Sequence, residues 1–379
     1  MSVQFILGRS GTGKTSYCIR SIVEALLRPS QSATGGLILL VPEQATYQAE
    51  RAVLADKRIS GYNRLNVLSF DRLQFLLLGK NTARPALSRI GQQMLIHRIL
   101  RDNSGKLKVL GPSSAWPGLA RQMAETIGEL NRYAKTPVDI DRLLGKLQKD
   151  EQVHRGLEAR DMLAGLKFAD VGLVFAEYLK SIEGRFLDPD VQLNLARKAV
   201  AEADFIKGAK LWVDGFASFT ASELALLAEL MKTAAETQIA LCLDSANLDL
   251  KRPNAESIDP IGLFEPTERT YTELVELINE CKLKLVEPII LEEPVRFAGC
   301  KELAHIERNI FSISGRRLKI GNRKSVRIAA APNARCEVQF VARQILKLVR
   351  EKDYRYRDIA VIASDIERYE HYILSLIHI

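Results

Sequence analysis

Eight residues near the N-terminus have the types and spacing to hold a phosphate chain. Gly8-Arg9-Ser10-Gly11-Thr12-Gly13-Lys14-Thr15 fits the pattern G-x-x-x-x-G-K-[ST] at every fixed position. In such a loop the glycines let backbone N–H groups wrap the phosphates. The helix that follows adds partial positive charge. Lys14 is expected to reach the β- and γ-phosphates, and Thr15 to coordinate magnesium. The residues from Gly8 to Thr15 therefore predict a bound nucleoside triphosphate, ATP with magnesium.

Hydrolysis needs more than a grip. An acid is expected at the tip of a neighbouring strand, and Leu211-Trp212-Val213-Asp214 supplies one. Asp214 is expected to face magnesium through a water, although a strand-end turn residue is the plainer role for it. A motor ATPase places glutamate next, to take a proton from the attacking water. This chain has Gly215, so binding is expected with weak or absent hydrolysis. Glu223 stands further along, and the reading is against its substituting. Gln44 is expected either to contact the phosphate–magnesium site or DNA, or to be a polar residue at a helix start.

These residues need a scaffold, and the pattern supplies an α/β one. Val3–Leu7 reads as a strand, Thr15–Leu27 as an amphipathic helix, and Leu37–Val41 as a buried parallel strand. That order is a βαβ unit. Leu65–Phe70 reads as a third strand. From about Asp71 to Ala203 helical periodicity takes over, with helices expected at Ile90–Arg101, Pro117–Tyr133, Val138–Gln148, Ala159–Tyr178 and Pro189–Ala203. The sheet pattern returns in strand Lys210–Val213, helix Ala221–Thr233, strand Gln238–Leu243 and helix Phe264–Cys281, with a short extended run in Lys282–Pro294. A second α/β block is expected after Gly321: strand Ser325–Ala330, helix Cys336–Arg350, strand Ile359–Ser364, and helix from Ile366. Two strands cannot close a core, and the chain stops in an apolar stretch, so a fragment of a longer protein is expected.

Composition narrows the class. The chain has 379 residues, 47% hydrophobic and 26% charged, as in ordinary globular proteins. No apolar run reaches the roughly 18 residues needed to span a bilayer, and no secretory signal opens the chain. The net charge of +8 is compatible with a nucleic-acid partner. Cys18, Cys242, Cys281, Cys300 and Cys336 are scattered, which predicts buried reduced thiols in a cytoplasmic protein. His97, His154, His305, His371 and His378 share no ligand spacing. Trp116 and Trp212 are expected in the core. Arg64, Arg72, Arg84 and Arg89 either line a DNA path, with Tyr62 and Phe70 for stacking, or are solvated charges. Arg335 and Glu337 are candidates for nucleotide sensing.

The motif set resembles the AddB subunit family of bacterial AddAB helicase–nucleases, over the whole chain as the N-terminal third of such a protein. The resemblance rests on Phe5–Thr15, Leu40-Val41-Pro42-Glu43-Gln44, Val67–Leu73, Val213-Asp214-Gly215-Phe216 with Phe219-Thr220 and Glu223, and Ala331-Pro332-Asn333 with Glu337. It implies a RecA-like P-loop domain of superfamily 1 helicase type, residues 1–75 and 205–295, interrupted by a helical insertion, 76–204. A linker, 296–324, then leads to the beginning of a second RecA-like domain, 325–379. It further implies single- and double-stranded DNA as ligands and a heterodimer with a partner subunit resembling AddA. The subunit would scan DNA for Chi in double-strand break repair rather than act as main motor. A nuclease domain and an iron–sulfur cluster are expected only in the missing C-terminal part. An autonomous DNA translocase or, further off, a P-loop small-molecule kinase are the alternatives.

Overall fold

The computed structural model describes residues 1–28, 35–79, 85, 87–133, 135–153, 159–186, 188–246, 248–311 and 325–377. Two compact units result, Met1–Ala298 and Gly299–Ile379.

The first unit is α/β, built on one parallel sheet. Its strands are β1 (Ser2–Gly8), β2 (Leu37–Leu40), β3 (Leu65–Leu68), β4 (Lys210–Val213), β5 (Glu236–Cys242) and β6 (Lys284–Ile290), in spatial order β3-β2-β4-β5-β1-β6. Every neighbouring pair is parallel. Parallel strands need crossover connections, so helices cover both faces and the strands read as apolar runs. One face packs Phe5, Leu40, Val213 and Leu241 against Leu226, Leu230 and Tyr271. The other packs Ile6, Leu39 and Trp212 against Cys18, Ile22 and Val53.

Three polar residues inside the strands, Trp212, Gln238 and Gln4, are paired side to side. The indole N–H of Trp212 donates to Gln238 at 2.8 Å. Gln238 donates to Gln4 at 3.0 Å, and Gln4 to the Glu287 carbonyl at 3.0 Å. This chain of amides crosses β4, β5, β1 and β6, and satisfies groups that would otherwise weaken a covered sheet.

The helices beside the sheet are α1 (Lys14–Leu27), α2 (Thr46–Leu54), α3 (Phe70–Leu78), α9 (Ala221–Thr233) and α10 (Glu265–Glu280). Between α3 and β4 stand α4 (Arg89–Asp102), α5 (Pro117–Arg132), α6 (Pro137–Val153), α7 (Ala159–Ile182) and α8 (Pro189–Ala199). The first four of these gather around their own core of Ile96, Leu100, Met123, Ile127, Ile140, Phe175 and Tyr178. The buried Asp170 carboxylate accepts the amides of Lys108, Val109 and Leu110 at 2.7–2.9 Å, tying the α4–α5 loop to α7.

Two expectations shift at the β3 edge. The strand expected over Leu65–Phe70 stops at Leu68, because the Ser69 hydroxyl accepts the Arg72 amide and caps α3. Thr46–Leu54, whose start only the alternative role of Gln44 anticipates, becomes α2.

The second unit holds α11 (Lys301–Asn309), α12 (Ala334–Glu351) and α13 (Glu367–Ile377). Residues 325–330 and 359–364, expected as strands, join no sheet among the described residues. Their side chains stand open, with Ile328 98% and Ile362 93% exposed. A strand is defined by its ladder, and an apolar pattern cannot make one without a neighbour to bond. Residues 312–324, within the expected linker, lie outside the described residues. Among the described residues no helix is long and apolar enough to cross a membrane.

Candidate nucleotide site at the sheet's carboxyl edge

The loop expected to hold phosphate leaves the end of β1 and enters α1. Gly11 and Gly13 lie at φ +78° and +91°, in the left-handed region that favours glycine. Gly13 is the helix N-cap and offers no side chain to the first-turn amides. Those amides are therefore left for an anion. Gly8 has its own constraint: a β-carbon there would lie 2.4 Å from the Leu291 carbonyl oxygen.

The side chains of the loop have defined partners. Lys14 Nζ donates to the carbonyls of Gly8 and Arg9 at 2.8 and 2.9 Å, which bends its ammonium back over the loop. The Thr12 hydroxyl donates to the Arg9 carbonyl at 2.9 Å. Ser10 is exposed at the tip.

Asp214 lies one residue past β4, which lies beside β2 and β5. It is 7% exposed. Burial pushes its carboxyl above the usual carboxylate range, against the lowering influence of the Thr15 hydroxyl, the Gly215 amide and the Lys14 ammonium. Thr15, Lys14 and Asp214 thus meet in one place, although 199 positions separate Asp214 from Thr15 in the chain. Gln44 sits in the short turn Glu43–Ala45 after β2, on the same edge, with its side chain exposed. Glu223 is used elsewhere: it accepts the Thr220 amide at 2.7 Å in the capping box of α9.

Several residues that meet this loop, Asp244, Phe264 and Val295–Phe297, were not singled out as site residues from the sequence. Arg9 donates to Asp244, just past β5, at 2.8 Å, and lies over the Phe264 ring at 5.2 Å. Beyond β6 the chain crosses the loop. The Arg296 amide donates to the Gly11 carbonyl at 2.9 Å. A β-carbon on Gly11 would lie 2.7 Å from Phe297 Cε2, and one on Gly13 3.6 Å from Val295 Cγ2. Val295, Arg296 and Phe297 therefore form a strap over the Gly8–Thr15 loop. The only signal available was the parallel sheet itself, whose strand ends gather ligands at their carboxyl edge.

Other expectations resolve as follows. Trp212 is buried, but Trp116 is 69% exposed and belongs to no core. The guanidinium of Arg64 reaches the carbonyls of Ala25, Leu26 and Arg28 at 3.1–3.2 Å, where it caps the end of α1. Arg72 pairs with Glu43 and Glu50 at 3.4 and 3.7 Å. Phe70 packs edge-on against Phe216 and Phe219. Glu337 accepts the Tyr369 hydroxyl at 3.0 Å. Arg84, His154 and His378 lie outside the described residues. All five cysteines are free thiols, of which Cys18 is buried and the others half-buried. Among the described residues no group of three His, Cys, Asp or Glu could hold a metal ion.

The family model described as ADDB, N-terminal, matches residues 5–307, most of the chain. The chain belongs to the AddB N-terminal family. A relative from Symbiobacterium thermophilum, named as the B subunit of an ATP-dependent helicase/deoxyribonuclease, is 38% identical over 371 residues, covering 97% of this chain and 31% of the relative. Proteins of the same name from Pelotomaculum thermopropionicum and Bacillus cereus are 35% and 31% identical. They are covered over 31% and 30% of their length, against 99% and 97% of this chain. The chain thus spans about a third of the AddB relatives it matches. The family match ends at residue 307, nine positions past the boundary of the first unit.

Proposed function

We propose that this chain is the nucleotide-gripping part of a DNA-end-processing helicase–nuclease subunit, one that binds ATP with magnesium and hydrolyses it weakly or not at all. The carrying observation is the meeting of Thr15, Lys14 and Asp214 at a strand edge whose next residue is Gly215.

The residues fit the group. The left-handed glycines 11 and 13 and the uncapped start of α1 leave backbone N–H groups for phosphate oxygens. Lys14 already lies over the loop and needs only to exchange two carbonyls for phosphate oxygens. Thr15 and Asp214 would hold magnesium, directly and through water, and Gln44 would approach from the end of β2. Magnesium, when bound, neutralises charge on the phosphates.

The position that would fire the reaction carries no acid. Gly215 has no carboxylate to take a proton, and Glu223 is committed to capping α9. Binding without turnover suits a subunit that reports a nucleotide-dependent state while a partner subunit resembling AddA does the unwinding. On this reading the displaced single strand is scanned for Chi, and the longer relatives' remaining length supplies the nuclease. An iron–sulfur cluster would need residues beyond this chain.

Calorimetry in magnesium buffer tests the proposal. ATP uptake is expected, with turnover near background whether or not DNA is added. Absence of both ATP and ADP uptake would end the reading. So would strong DNA-stimulated hydrolysis that is lost in Lys14→Ala.

A further inference from the structure

We propose that the helical region carries a nucleic-acid contact, a platform on which single-stranded DNA stacks a base against Trp116 and lays its phosphates along α4. The proposal takes DNA as the ligand from the function proposed above; the platform itself rests on separate observations.

Trp116 is 69% exposed, an uncommon position for a residue that is usually largely buried. Its backbone is nonetheless fixed. Its amide donates to Ser113, its carbonyl takes the Leu119 amide at 3.1 Å, and it stands at the N-cap of α5 with Pro117 next. A large flat ring on a rigid mount loses little freedom when it stacks.

The backbone just before Trp116 adjoins α4. His97 Nε2 lies 3.0 Å from the carbonyl oxygen of Ala115, the residue before Trp116. The inner side of α4 is spent on the core through Ile96, Ile99 and Leu100. Its outer side presents Met94, 68% exposed, with Arg98 and Arg101, at helical spacings that share a face.

Charge chooses the occupant. Between Arg89 and Trp116 there are five cations, Arg89, Arg98, Arg101, Lys106 and Lys108, and one anion, Asp102. All six are exposed. That net +4 is half of the chain's +8 in 28 residues. A net positive patch of this density suits a polyanion, whose phosphates release counterions on binding. An aromatic set among cations is the arrangement that binds single strands without reading sequence, since every base has a π-face.

The chain's two tryptophans make the test direct, because Trp212 is buried at 1% exposure. Titration with a short oligothymidylate should quench the emission, and the quenching should persist in Trp212→Phe and vanish in Trp116→Phe. In parallel, anisotropy of a labelled oligothymidylate should show about 5- to 100-fold weaker binding for Trp116→Ala. The Arg98→Ala, Arg101→Ala pair should flatten the log–log salt slope by about 1.4. Thermal midpoints and ATP uptake should stay as in the parent chain. If the oligonucleotide binds equally well to these variants, the platform is refuted while DNA binding stands. If no oligonucleotide binds, both readings fall. Self-association abolished by Trp116→Ala would overturn the proposal in favour of a protein contact.

Discussion

Gly215 presses against Pro42: a β-carbon at position 215 would lie 3.2 Å from Pro42 Cδ, on a backbone at φ +85°. The turn that ends β4 is therefore built for glycine, and its missing carboxylate is part of the backbone design. Adding the side chain of a motor ATPase should not make a motor. Gly215→Glu is expected to destabilise by about 1–3 kcal/mol through the left-handed backbone, lowering the melting midpoint by a few degrees. DNA-stimulated phosphate release should remain at background. A variant that folds as well as the parent and hydrolyses ATP would show that only the carboxylate was lacking.

Lys14 separates gripping from folding. Its ammonium donates to two loop carbonyls and stands near the Asp214 carboxyl, so Lys14→Ala removes two hydrogen bonds at a part-exposed site. The expected stability change is within about 1 kcal/mol. Loss of a charged donor to phosphate should weaken ATP by about 10- to 100-fold, taking roughly 1.5–3 kcal/mol for such a bond. Calorimetry and a melting curve on the same sample check both halves.

Asp214 gives the site a pH signature. Burial raises its carboxyl above the ordinary value of 3.8. The folded state therefore binds the proton more tightly than the unfolded chain, and stability falls as pH rises from about 3.8 through the raised value. Asp214→Asn should lack this loss and melt higher than the parent near neutral pH. Magnesium-dependent ATP affinity should show the opposite trend in the parent, weakening as acid protonates the carboxyl, and should be low throughout in the variant. Parallel melting curves in which the two proteins keep a constant offset from pH 4 to 7 would contradict the assignment.

The loop around Lys14 was legible because its residues are contiguous and its glycines have no other use between a strand and a helix. The sheet was legible for a similar reason: runs such as Leu37-Ile38-Leu39-Leu40 are buried on both faces and look it. The strap of Val295, Arg296 and Phe297 was not, since nothing local says that it returns 285 positions later to cover Gly11. Trp116 was misplaced because residue type argues for burial, whereas its exposure is decided by the helix start on which it stands. The runs at 325–330 and 359–364 have strand composition, but their pairing depends on neighbours that no local pattern supplies.

Asp170 carries the last prediction, on the helical core that mounts Trp116. Its carboxylate is 2% exposed and accepts three amides from residues 108–110 at 2.7–2.9 Å. Hydrogen bonds to a charged group are worth about 1.5–3 kcal/mol each, less than additively in one cluster. Asp170→Ala leaves three part-buried backbone donors without their acceptor, so a loss of about 2–4 kcal/mol is expected. Asp170→Asn, which keeps one acceptor oxygen, should lose less. The damage should concentrate in the α4–α5 loop, since α4 and α5 share a core apart from the sheet. Hydrogen exchange should rise at Lys108–Leu110 and around Trp116 while β1 and α1 stay protected. Uniform deprotection of both cores would show that they unfold as one unit.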